Sequence, residues 1–125
     1  MVKKFVIVLG AVFVLFGILG FIPSATPNDL LLNLFAVGTV QNVIHLVSGA
    51  AAAAAVLAGN GYPRLYAQVV GIVYGVLAVL GFLGGDGAEV LGLFTVNTAS
   101  NFLYLAIALA ALYAGYSSQQ RGSRV

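Results

Sequence analysis

His45 is the one histidine of the chain, and its side chain has the widest chemical range on offer: proton acceptor, hydrogen-bond partner or metal ligand. Gln41, Asn42, His45 and Ser48 recur at helical spacings of three and four, which puts them on one helix face. Asn97, Asn101 and Tyr104 repeat the stripe further along. Three kinds of chemistry suit two such stripes. Polar groups inside a membrane bundle bond one another and staple helices together. The same groups around a void form a small polar pocket, open to the outside, for a small molecule. A lone histidine could also hold one haem or chlorin axially, although bis-histidine ligation would need a second chain. Stapling is the default for polar groups in lipid; the pocket and then the axial ligand are the alternatives.

Catalysis fits poorly. A hydrolase needs a nucleophile beside a base that a third group orients. Ser48 and Ser100 have no acid near them in sequence, and the three acids, Asp29, Asp86 and Glu89, fall in connecting segments. One histidine and no cysteine supply neither a zinc site of three or four ligands nor thiolate chemistry. Gly81-x-x-Gly84-Gly85 closes an apolar helix and opens no nucleotide-binding unit. We therefore expect no enzyme, no metal and no cofactor. Ion relays usually place charged side chains inside the membrane. The apolar segments here hold none, and Gln68 and Tyr74 are their other buried polar candidates.

The elements that carry these stripes must be membrane helices. The chain of 125 residues is 62% hydrophobic and 6% charged, where a soluble domain carries about 25% charged residues. Its apolar surface must face lipid. Crossing takes about 20 apolar residues, and four segments qualify, at about residues 5–22, 40–58, 65–83 and 98–116. Together they make one domain, 1–125. Lys3, Lys4, Arg64, Arg121 and Arg124, all five basic residues, fall on one side, and the three acids on the other. The positive-inside bias then puts both termini in the cytoplasm of a cell-membrane protein. Basic residues at helix ends form no patch for nucleic acid. Tyr62, Tyr66, Tyr113 and Tyr116 are expected at the inner interface, and Phe21, Phe35, Phe82 and Phe94 near the outer one. Met1–Ile22 has the look of a signal peptide, but its apolar run of about 18 residues exceeds the usual 7–15, so it is expected to remain as the first helix.

The chain repeats at a period near 60. Leu19-Gly20-Phe21 returns as Leu80-Gly81-Phe82, and Leu34-Phe35-Ala36-Val37 as Leu93-Phe94-Thr95-Val96. Asn42 with His45-Leu46 returns as Asn101 with Tyr104-Leu105. Each unit, about 5–58 and about 65–116, has two helices, so both enter from the same side and a parallel pseudo-two-fold relation follows. That axis would bring the two polar stripes together between helices 2 and 4. Thr26-Pro27-Asn28-Asp29 and the Asp86, Glu89 pair read as helix starts. Short interfacial helices are expected near Pro27–Leu34 and Gly87–Leu93, with Asn97 capping helix 4. Gly49, the Gly71-x-x-x-Gly75 pair, and Ala106 and Ala110 with Ala114 are the expected close-packing positions.

A hairpin ending Leu-Gly-Phe, a Pro-containing outer loop, a Leu-Phe segment and then Asn-x-x-His, all repeated, resembles a family of small bacterial membrane proteins defined only as a domain of unknown function. The resemblance runs from roughly Gly10 to Gly115. It implies a four-helix membrane protein and no particular activity. Asn42-x-x-His45 matches the pattern, whereas Asn101-x-x-Tyr104 departs from it, which weakens any mechanism that needs a histidine pair in one chain. The expectation is an all-α, four-transmembrane-helix bundle of two hairpin repeats. Its expected role is a non-enzymatic structural or accessory subunit, held in lipid and joined to copies of itself or to a larger complex.

Overall fold

A computed structural model describes residues 2–26, 30–31, 35–36, 38–85, 89–90, 92 and 94–117. The helices are α1 (Val2–Leu19), α2 (Thr39–Ala58), α3 (Tyr62–Gly84) and α4 (Thr98–Ser117), in an all-α bundle. Each is long and apolar enough to cross a membrane, so the chain is a multi-pass membrane protein. α1 packs on α2 and α3 on α4, and the two hairpins meet mainly through α2 with α3 and α1 with α3.

Local chemistry sets the ends. α1 stops at Leu19, short of the expected 22. Pro23 forces the preceding Ile22 into an extended conformation (φ −96°, ψ 114°). Phe21 and Ile22 instead donate to Ile18 and Leu19 three residues back, at 3.1 and 3.0 Å. At its other end α1 reaches back to Val2, so Lys3 and Lys4 lie in its first turn. Between α2 and α3 the chain reverses over Gly59-Asn60-Gly61. Gly59 (φ 73°) and Asn60 (φ 52°) take the left-handed conformations that glycine and asparagine tolerate best.

The outer connections correct one expectation. Leu30–Leu31 (β1) pairs antiparallel with Phe35–Ala36 (β2), and Glu89–Val90 (β3) with Phe94–Thr95 (β4). These described parts of the expected interfacial helices are strand pairs; 27–29, 32–34, 86–88, 91 and 93 lie outside the described residues. A short ladder satisfies backbone N–H and C=O groups as a helix would. Glu89 stands opposite Thr95 in its ladder and so cannot close a capping box. The Thr26 hydroxyl donates back to Ile22 O at 3.1 Å, closing the turn Pro23–Ala25 behind it.

Between lipid-embedded helices close packing replaces the hydrophobic effect. A methyl group on Gly49 would lie 3.0 Å from Gly10 O across the α1–α2 seam. One on Gly71 would lie 2.7 Å from the Leu112 side chain across the α3–α4 seam. Gly75 is less crowded, with only an ordinary 3.7 Å approach to Ala108. Ala106 and Ala110 are exposed, contrary to expectation; Ala108, Ala111 and Ala114 are buried. The inward face of α4 follows Asn101 and Tyr104 at spacings of three and four, which leads to Ala108 and Ala111 and bypasses Ala106 and Ala110. Two aromatic assignments also change. Tyr62, Tyr113 and Tyr116 are exposed as an interfacial belt should be, but Tyr66 is buried. On the other side Phe21 and Phe82 are exposed, while Phe94 is buried.

Candidate functional site

The polar side chains lie in a column through the bundle. Gln41, in the first turn of α2, is 1% exposed. Its Nε2 donates to Ala36 O at 3.1 Å and to Thr95 O at 2.9 Å, tying the ladder of its own hairpin to that of the other. The Tyr104 side chain lies beside the same amide. Asn97 does parallel work from the second hairpin. Its Oδ1 accepts from Ala36 N at 3.1 Å and from Ser100 N at 2.9 Å. Ser100 Oγ in turn accepts from Asn97 N at 3.0 Å. Asn97 thus caps α4 reciprocally with Ser100 and bridges to the first hairpin.

One turn deeper, four rings close a circuit. Phe13 of α1 lies 6.1 Å from His45 of α2, His45 6.0 Å from Tyr104 of α4, Tyr104 5.6 Å from Tyr74 of α3, and Tyr74 5.0 Å from Phe13. Two of these contacts lie within hairpins and two cross between them. Phe16 adds an edge contact to His45 at 6.1 Å. Below the rings, Ser48 Oγ and the Tyr74 hydroxyl are 2.9 Å apart, and the Tyr66 hydroxyl donates to Ser48 O at 2.6 Å. Towards the basic end, Gln68 Nε2 donates to Gly115 O at 2.9 Å, so this amide is engaged inside the bundle.

Among the described residues, three buried side-chain polar atoms have no hydrogen-bond partner: Asn42 Oδ1, His45 Nδ1 and Asn101 Oδ1. Asn42 and Asn101 were expected to face each other between helices 2 and 4. Each instead turns into its own hairpin. A Cβ on Gly20 would fall on the Asn42 amide, and one on Gly81 on the Asn101 amide. Each oxygen therefore rests against a glycine Cα–H, a weak donor. His45 Nδ1 has only the surrounding rings. The arrangement brings together Gln41 and Tyr104, His45 and Tyr104, and Asn97 with the first hairpin; Asn42 and Asn101 stay apart. Phe13, Tyr66, Tyr74 and Ser100 complete the column and were not among the expected site residues. Phe13 and Tyr74 stand in register with the repeat near 60, as His45 and Tyr104 do, and that correspondence was the available signal.

The family model described as Domain of unknown function (DUF4383) matches residues 3–117. No curated protein and no solved structure matches the chain.

Proposed function

The chain belongs to the DUF4383 family, a domain of unknown function, and we propose that it serves as a non-enzymatic structural or accessory subunit of an assembly in the cell membrane. One observation carries this reading. Gln41, Ser48, Tyr66, Tyr74 and Asn97 all spend their polar atoms on bonds between helices and ladders. Such a column makes a rigid bundle and leaves few groups for turnover. Both termini are cytoplasmic in this reading, supported by the five basic residues on one side. The two hairpins are parallel halves of a duplication, supported by the matched pairs Gly20 with Asn42 and Gly81 with Asn101. The partner is a second copy or another membrane polypeptide. Native mass spectrometry of protein gently extracted from its host membrane tests this. Whole multiples of the chain mass, or a companion polypeptide, support the reading; a lone chain overturns it.

A second reading has its own observation. Buried polar atoms rarely go unpaired, and His45 Nδ1, Asn42 Oδ1 and Asn101 Oδ1 all do. Of these, His45 Nδ1, which faces only the surrounding rings, suits a small molecule that presents a hydrogen-bond donor to it. His45→Phe keeps a ring beside Phe13 and Tyr104 and removes Nδ1. Loss of a co-purifying small molecule in this variant, with the fold intact, favours the pocket; an unchanged complement of bound molecules removes it.

A further inference from the structure

An apolar groove of about 640 Å³ runs along the α1–α2 seam. Gly10 and Gly49 line it where a methyl group on Gly49 would lie 3.0 Å from Gly10 O, and Ile7, Val14, Ala53 and Leu57 line it too. On α1 it runs from Val6 to Ile18, a rise of about 18 Å at 1.5 Å per residue. One leaflet of a hydrocarbon core of about 30 Å is about 15 Å deep. The groove therefore has the length of a single acyl chain.

Its mouth is charged. Lys3 and Lys4 are exposed in the first turn of α1. Lys3-Ile7-Gly10-Val14 and Lys4-Ile7-Ala11-Val14 each advance by three or four residues, so both lysines extend the groove wall beyond the hydrocarbon. The second hairpin has a corresponding groove of about 400 Å³ between α3 and α4, lined by Gly71, Gly75 and Leu112. The basic residue nearest it in sequence, Arg64, donates from Nη1 to Gly115 O at 3.5 Å. Among the described residues, the longer groove and an exposed pair of cations occur together in the first hairpin.

We propose that the α1–α2 groove binds one anionic phospholipid, its acyl chain lying over Gly10 and Gly49 and its phosphate held by Lys3 and Lys4. The charge at the mouth selects an anionic headgroup over a zwitterionic one, and the dry walls select a chain over a free phosphate. Delipidated protein in detergent would be titrated with dioleoylphosphatidylglycerol or dioleoylphosphatidylcholine and its adducts counted by native mass spectrometry. Wild type is expected to take its first phosphatidylglycerol well ahead of phosphatidylcholine. The double variant K3Q/K4Q is expected to lose roughly tenfold in affinity for phosphatidylglycerol. Ala53→Phe fills the groove from the exposed side and is expected to lose the first adduct of both lipids, whereas Ala54→Phe, exposed beside the groove, keeps it. Equal binding of both lipids by wild type, full affinity in K3Q/K4Q, or full binding by a folded Ala53→Phe each overturns the proposal. If Ala53→Phe does not fold, the lysine variant decides alone.

Discussion

Ser48 answers two tyrosines at once, with its hydroxyl to Tyr74 and its carbonyl to Tyr66. Removing one tyrosine hydroxyl leaves the other bond in place, so Tyr74→Phe is expected to cost about 0.6–2 kcal/mol. In a double-mutant cycle with Ser48→Ala the two changes should not add, because both remove the same bond. Thermal unfolding in detergent reads both quantities. Gln41→Leu is expected to cost more, about 1–3 kcal/mol, since it strands Ala36 O and Thr95 O. The spacing of Gln41, His45 and Ser48 already put them on one face. Their partners were not legible, because two are backbone carbonyls that only the paired ladders bring within reach. A tyrosine near Arg64 resembles an interfacial anchor, yet Tyr66 is buried. Its spacing to Val70 and Tyr74, four residues at a time, was the better guide.

Helices announce themselves by apolar length, and their ends by chemistry that is easier to miss. Asn97 was legible as a cap, and the structure adds its bond to Ala36 N. Asn97→Ala is expected to lose about 1–2 kcal/mol from the cap alone, with fraying of the first turn of α4 visible by hydrogen exchange. Ile22 before Pro23 was the missed signal for the end of α1. The strand pairs were not legible, because two-residue ladders are too short to show alternation. Small residues mark close packing only where the helix face is known, and Ala106 and Ala110 lie on the exposed face of α4. Two glycines of α3 make that point testable. Gly75→Ala meets only an ordinary contact and should be neutral or stabilising by up to about 1 kcal/mol. Gly81→Ala must displace the Asn101 amide and should lower the melting temperature.

For the whole molecule, the four-span architecture was legible because 62% apolar composition with 6% charge admits no other solvent. Orientation rests on charge alone and can be measured directly, since the chain contains no cysteine to interfere. A single cysteine at Ser24 is expected to react with a membrane-impermeant maleimide on intact cells. One at Asn60, in the opposite turn, is expected to react only after permeabilisation; the reverse pattern inverts the topology. The juxtaposition of hairpins was only half legible. The repeat pointed to two equivalent units, but not to α3 as the helix that meets both members of the first.

The ring circuit has a consequence for biogenesis. α1 and α2 are synthesised before α3 and α4, yet two of the four ring contacts, one acceptor of Gln41 and both tyrosines on Ser48 belong to the second hairpin. A first hairpin inserted alone therefore meets lipid with part of its polar stripe unpaired until the second hairpin packs against it. A fragment ending at Gly59 would keep the stripe on display, a form that membrane quality control has a physical means to recognise.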